Sequence, residues 1–205
     1  MIRQCSNRVL LACVAFIIFA GLVGCHVPPA PKKMPEVVRT DTNPKFGKAR
    51  EDLVDIVVLA ARPPEGDPRA DGPHLRRFRR KVYEGLVNKG YSPLKLNFVD
   101  QAFTDEPITV RADPDQSITK FGEDAIMVLS LNEWDRRFVR QENGIMISAT
   151  LSLIKSKPKE KLWMHEIRHR LYKIPLNADE RHLTIDEVVV DLVVKDLLAK
   201  LPSRA

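Results

Sequence analysis

The amino-acid sequence predicts an α/β domain with a mixed sheet of four or five strands flanked by helices. Three observations support this fold class. Residues 53–61 form a nearly continuous aliphatic run, which is typical of a strand buried on both faces. Apolar residues at helical spacing follow Gly72. Residues 145–153 alternate between aliphatic residues and residues that are mostly small and polar, which indicates a strand with one buried face.

The first half of the domain is predicted to be a strand, a helix and a second strand. The helix begins at Pro73, because proline suits a first helical turn, and it ends before Gly90, where a helix terminus favours glycine. Its buried face is predicted to consist of Leu75, Phe78, Val82 and Leu86. Residues 91–99 are expected to form the next strand, so the unit is a right-handed crossover.

The second half of the domain is predicted to contain two more strands and a final helix. Residues 102–119 are interpreted as a loop with room for a short helix, and residues 125–131 as an aliphatic strand. The strand at 145–153 follows. The helix at 184–201 begins with Thr184 and Glu187, which have the spacing of a capping box.

The composition is that of a folded domain. Of 205 residues, 44% are hydrophobic and 29% are charged, which excludes a fully disordered chain, a collagen-like repeat and a protein with many membrane spans. Three cysteines are too few for a disulfide framework. The formal net charge is +6, or +4 once Arg3 and Arg8 near the N-terminus are set aside, which indicates a mildly basic surface, and nucleic acid is not expected among the partners.

The N-terminus is predicted to be a lipoprotein signal peptide. Arg3 and Arg8 form a positive start, and an unbroken apolar run from 9 to 23 follows. The segment Leu22-Val23-Gly24-Cys25 resembles the lipobox of bacterial lipoproteins, which implies removal of residues 1–24 and a palmitate-containing lipid anchor on Cys25. The alternative is an uncleaved membrane anchor, because the run is about the minimum that spans a bilayer of roughly 30 Å.

The predicted organisation after the signal peptide is a tether followed by one domain. Residues 25–49 are interpreted as a lipidated, proline-rich tether, since proline fixes φ and favours an extended chain. Residues 50–205 are predicted to be the globular domain. His26 follows Cys25, in place of the aspartate associated with inner-membrane retention, which favours the outer membrane with the domain facing the periplasm.

Four short motifs carry a resemblance to a known family: Ile56-Val57-Val58-Leu59 before a Pro-Pro pair, Gly90-Tyr91, Phe121-Gly122-Glu123-Asp124-Ala125 and Leu162-Trp163. They resemble a group of bacterial envelope lipoproteins of unknown activity, similar in fold to the N-terminal domain of TolB and the periplasmic part of CsgG. This chain has Gly122-Glu123 where the family has Gly-Ala, and residues 155–160 replace its tight Thr-Gly turn. The resemblance implies a non-enzymatic binding or assembly role in secretion, transport or envelope maintenance, with no cofactor and no catalytic residues.

Residues 165–169 match the zinc-binding pattern H-E-x-x-H, which suggests an alternative function. On a helix, His165 and His169 would share a zinc ion, Glu166 would act as the base, and Glu187 would be the third ligand. On a strand, the two histidines would be about 13 Å apart and could not share a metal. The resemblance places a strand here, so a strand without metal is favoured and a zinc hydrolase is the alternative. The strand interpretation also predicts that both histidines lie on one apolar face.

Two surface features are candidate partner sites. Arg76, Arg77, Arg79 and Arg80 form a basic band around the first predicted helix, which could contact anionic lipid or an acidic partner. Trp134 follows a predicted strand and is a candidate exposed anchor. The alternatives are a solvated helix face and a tryptophan that covers a turn. The expected partners are the membrane, through the lipid anchor, and other envelope proteins, including other lipoproteins.

Overall fold

The computed structural model describes residues 31–65, 72–174 and 184–204. The sheet belongs to one compact unit, Lys33–Ala205. The predicted signal peptide and Cys25 lie outside the described residues. Within the described ranges, no helix has both the length and the apolar character needed to cross a membrane.

The described residues form a six-stranded sheet in the order β1-β6-β5-β4-β2-β3. The strands are β1 (Val37–Thr42), β2 (Asp55–Val58), β3 (Ser92–Pro93), β4 (Ala125–Asp135), β5 (Gly144–Lys155) and β6 (Glu160–Lys173). β2 pairs in parallel with β3 and β4, and the other neighbouring strands pair antiparallel. The predicted mixed α/β fold is confirmed, although the sheet has six strands where four or five were expected.

Short and long helices connect the strands and end the chain. They are α1 (Phe46–Asp52), α2 (Pro73–Asn88), α3 (Leu96–Ala102), α4 (Ile108–Arg111), α5 (Pro114–Phe121), α6 (Val139–Glu142) and α7 (Ile185–Ala199), with a 3-10 turn at Arg136–Phe138. Gly90 follows α2 with a φ of 81°, the left-handed conformation expected of glycine at that position. Thr184 and Glu187 form the predicted capping box at the start of α7.

The sheet has a hydrophobic cluster on each face. α2 and α7 contact each other and pack on one face, where the larger cluster includes Ile56, Val58 and Trp163. A second cluster on the other face joins Val57 of β2 to Phe103 beside α3. Successive residues of β2 thus enter different clusters, which explains why the run at 53–61 is aliphatic at nearly every position.

The segment after residue 36 belongs to the domain, which corrects the predicted tether at 25–49 and the domain start at 50. β1 pairs antiparallel with β6, and Phe46 of α1 is 1% exposed in the larger cluster. All six residues of β1 are exposed. Because pairing with β6 holds β1 in place without burial of its side chains, the sequence of β1 shows no apolar alternation.

The strand predicted at 91–99 is shorter than expected. β3 contains two residues and ends at Pro93, which has no N–H to donate to a further ladder bond. α3 follows, and its Val99 lies in the second cluster. The second half of the predicted strand is therefore helical, with Val99 buried and Phe98 exposed.

Candidate functional site

The H-E-x-x-H segment lies in the middle of β6. The strand runs through Glu160–Lys173 and pairs with β1 on one side and β5 on the other. The prediction of a strand is confirmed, and the helical geometry required by a zinc hydrolase is absent from this segment.

His165 is a buried residue on the face covered by α2 and α7. It is 3% exposed and stacks on Trp163, with 6.2 Å between ring centroids. Its Nδ1 lies 2.7 Å from Oγ1 of Thr40, so it also links β6 to β1. Burial lowers the pKa of His165, and the positive charge of Lys200 lowers it further.

A β-bulge places His169 on the opposite face of the sheet. Ala149 of β5 pairs with Ile167, but Ile147 pairs with Arg170, so two residues of β6 oppose Ser148. His169 has a φ of 53°, a conformation that is uncommon for residues other than glycine. The prediction that both histidines lie on one face is therefore wrong, because the extra residue reverses the alternation.

Glu187 does not meet the two histidines. It lies in the first turn of α7, where its carboxylate accepts hydrogen bonds from the backbone N–H and the hydroxyl of Thr184. These bonds hold the pKa of Glu187 below its usual value. Arg77 of α2 also binds Glu187 and forms two hydrogen bonds with Asp191. Among the residues that the structure describes, no group of three His, Cys, Asp or Glu side chains is arranged to hold a metal ion.

Ser148, Glu133 and His169 contact one another beside the bulge. The hydroxyl of Ser148 donates to Oε2 of Glu133 at 2.6 Å and accepts the backbone N–H of His169 at 2.9 Å. Nδ1 of His169 lies 3.0 Å from the same Oε2. In a nucleophilic triad the imidazole lies between the hydroxyl and the carboxylate, whereas here the carboxylate lies between the other two groups. The cluster therefore lacks the order of a nucleophilic triad, and its hydrogen bonds join β4, β5 and β6 at the bulge.

These residues line a groove of ≈ 550 Å³ on the face of the sheet that α2 and α7 leave uncovered; the other lining residues are Met34, Asn132, Glu166 and Arg168. Nε of Arg168 donates to Glu166 at 2.7 Å, so this carboxylate is paired as well. The sequence gives no local sign of this site. In the sequence, Ser148 is one of several polar residues that alternate with aliphatic ones. Its contact with His169 depends on the register shift between β5 and β6.

Only half of the predicted basic partner surface is exposed. Arg79 is 9% exposed, because its Nε donates to the carbonyl of Val58 at 2.9 Å and its Nη1 pairs with Asp100. Arg77 is held against α7 by the ion pairs described above. Arg76 and Arg80 are exposed, as a partner surface would require. Two of the four arginines are thus committed to contacts within the domain.

Trp134 is also buried, which corrects its assignment as an exposed anchor. It is 8% exposed. It is the penultimate residue of β4 and points to the face of the sheet that α2 covers. Its ring makes an edge contact with Phe78 of α2, with centroids 5.8 Å apart. The predicted turn begins after this residue, so the tryptophan is part of the core.

Among the described residues, β1 pairs only with β6 and is a free edge of the sheet, which the sequence analysis missed. The N–H of Asn43 donates to the carbonyl of Leu162 at 2.9 Å, in register with the β1–β6 pairs. Bonded pairs alternate along an antiparallel ladder. The backbone groups of residues 37, 39 and 41 therefore face β6, and those of residues 38, 40 and 42 face away from the sheet. The β-branched residues Val, Val, Thr and Thr in this segment are a strand signal that could have revealed it.

We expect acid to destabilise the domain through His165. Its pKa is lower in the folded chain than the usual value of about 6.5, so the unfolded chain takes up a proton first as the pH falls. The contribution of the neutral His165 side chain to the free energy of unfolding is complete above about pH 6.5. It is lost as the pH falls towards the pKa of His165 in the folded chain.

Urea unfolding at about pH 7.5 and about pH 5.5 measures this loss. In His165→Asn the difference between the two unfolding free energies should be smaller than in the parent, while His26→Asn, in the predicted tether, should match the parent. An equal difference in the parent and in His165→Asn would contradict the assignment.

No protein-family model and no curated protein sequence matches this chain. Several solved structures have a similar fold. The PelC dodecamer from Paraburkholderia phytofirmans is 13% identical, with a TM-score of 0.44 over 83% of this chain and 100% of that chain. Lipoprotein GNA1162 from Neisseria meningitidis is 19% identical, with a TM-score of 0.46 over 72% and 99%. A DUF4136 family protein from Bacteroides thetaiotaomicron is 12% identical, with a TM-score of 0.39 over 80% and 97%. Sequence identities and TM-scores this low indicate a related fold and carry no information about function.

Proposed function

We propose that this protein is a lipid-anchored component of the bacterial cell envelope that binds other envelope proteins and has no catalytic role. The observation that carries the proposal is the position of Cys25, which follows a positive start, an apolar run and small residues. We further propose that the anchor lies in the outer membrane, with the domain facing the periplasm, and that the protein serves secretion, transport or envelope maintenance. The resemblance to TolB and CsgG stays a prediction.

The free edge of β1 supports a binding role. A strand at the edge of a sheet presents unpaired backbone N–H and C=O groups, which bind an extended segment of another protein by strand addition. β1 is exposed along its whole length and begins 12 residues after Cys25, the proposed lipid attachment site. A partner could therefore bind here without any dedicated side-chain pocket.

The arrangement of the H-E-x-x-H residues also favours a non-enzymatic role. Zinc is bound at about 2.0–2.1 Å by histidine nitrogens, so two ligating histidines have to converge on one point. His165 and His169 lie on opposite faces of β6, and the Thr40 and Glu133 side chains occupy one nitrogen of each ring. The donor set that motivated the hydrolase alternative is not assembled.

Replacing Cys25 with serine tests the anchor. Cells that grow with radiolabelled palmitate should incorporate label into the parent protein and none into Cys25→Ser, because a hydroxyl does not replace the acceptor thiol. Cys13→Ser is the matched control, since this residue belongs to the segment predicted to be removed, and it should keep the label. Label in Cys25→Ser, or loss of label in both variants, would contradict the assignment of Cys25.

A further inference from the structure

We propose that β1 binds β1 of a second copy of this chain, antiparallel about a twofold axis, with Thr40 opposite Thr40 and Arg39 opposite Asp41 of the other copy. The inference rests on the proposed function, because it names one partner of the binding role. Two observations support the inference: which residues of β1 have backbone groups that face away from the sheet, and which residues of β1 are charged.

Only alternate residues of β1 have backbone groups that face outward, and this restricts which residues of two β1 strands can lie opposite each other. The outward backbone groups belong to Val38, Thr40 and Thr42, as the ladder with β6 requires. Two identical edges form antiparallel bonds when outward residues of one copy oppose outward residues of the other. A shift of one β1 strand by one residue along the other is therefore excluded, and the allowed registers differ by shifts of two residues.

The charges then select one register from this set. When Thr40 opposes Thr40, Arg39 opposes Asp41 of the second copy, and Asp41 opposes its Arg39, so two ion pairs form. A slide of two residues one way sets Arg39 opposite Arg39, and a slide the other way sets Asp41 opposite Asp41. Opposed residues in these non-bonded positions have Cα atoms about 4.5 Å apart, where like charges destabilise a sheet.

Both charged side chains are available for such pairs. The Arg39 and Asp41 side chains are 63% and 55% exposed, and the 3.7 Å contact between them is a weak exposed ion pair within one strand. His165 holds Thr40 through its side chain, and within the described ranges the outward backbone groups of Thr40 have no partner other than the proposed second copy. Pairing would thus join two six-stranded sheets without any rearrangement of the domain.

Membrane anchoring makes this small interface useful. A pair of six-residue strands buries much less than the 1,200–2,000 Å² or so that stable complexes bury, so we expect weak association in dilute solution. Two copies anchored to one membrane are held at a high effective concentration, which strengthens weak contacts without new interactions.

The test is disulfide trapping of the lipidated full-length chain carrying Thr40→Cys, in vesicles of phosphatidylethanolamine and phosphatidylglycerol. Paired cysteines at position 40 would have Cα atoms about 5.5 Å apart, which a disulfide can span. We expect a cross-linked dimer on mild oxidation. Adding Arg39→Asp or Asp41→Arg should each reduce its yield several-fold, and the double exchange Arg39→Asp with Asp41→Arg should restore it.

Val38→Pro and Val38→Thr form a second, uncharged pair of variants. Proline removes an outward N–H and is tolerated at a sheet edge, so it should reduce the dimer, whereas threonine keeps the N–H and should not. Sedimentation in detergent compares the association of the parent, Val38→Thr and Val38→Pro, all with Thr40 intact. The parent and Val38→Thr should associate more strongly than Val38→Pro. Circular dichroism confirms that each variant is folded.

Absence of the Thr40→Cys dimer from the lipidated chain, or failure of the double exchange to restore it, would overturn the pairing. A chain that carries palmitate label and gives no dimer refutes the pairing and leaves the anchor standing. A chain without label refutes the anchor, and the sedimentation series still decides the pairing.

Discussion

Phe46→Ala is expected to lower the free energy of unfolding by about 3–5 kcal/mol, the usual cost of removing a buried phenylalanine side chain. Phe46 is 1% exposed and packs in the larger cluster, although it lies within the segment that the sequence assigned to the tether. Urea unfolding monitored by far-ultraviolet circular dichroism measures the change.

Phe98→Ala is the matched control, because it removes the same atoms from a side chain that is 54% exposed. Its cost should stay below about 1 kcal/mol. If Phe46→Ala has as little effect as Phe98→Ala, α1 is not part of the folded domain and the tether extends to residue 49 as the sequence suggested.

Arg79→Met is expected to cost about 1–3 kcal/mol, because it leaves the carbonyl of Val58 without its donor at the end of β2. Methionine keeps most of the length and apolar volume of the arginine stem, so the change reports chiefly on the lost polar contacts. Thermal and urea unfolding both measure it.

Arg76→Met provides the comparison for Arg79→Met. Arg76 lies on the exposed side of the same helix, and its replacement should change stability by no more than about 0.5 kcal/mol. Equal effects at the two positions would mean that Arg79 lies at the surface, as the sequence analysis had assumed for the whole basic band.

The sequence predicts those parts of the fold that depend on burial and on local capping. β4 and β5 are aliphatic because one or both of their faces are covered, and α2 has its apolar residues on the side that meets the sheet. The capping box of Thr184 and Glu187 is visible because both partners are three residues apart in one turn. In each case, the residues that cause the structure are neighbours in the sequence.

The features that the sequence does not reveal depend on residues far apart in the chain. β1 exists because β6 offers it hydrogen bonds, and its own side chains remain in solvent. The bulge at His169 depends on the register of β5 against β6. Arg79 looks like its exposed neighbours, and it is buried because the carbonyl of Val58 and the carboxylate of Asp100 lie within its reach.

The position of β1 at the start of the domain also affects the order in which the fold can form. Thr40 and His165, which bond across the β1–β6 pair, are 125 residues apart, so this contact closes one of the longest loops in the domain. Closing a long loop costs entropy before any contact rewards it, and such contacts slow folding. In a chain that emerges N-terminus first, residues 37–42 leave the synthesis or export machinery well before β6 is available. The outer edge of the sheet is therefore completed late, and until then the strand nearest the proposed lipid anchor has both of its edges unpaired.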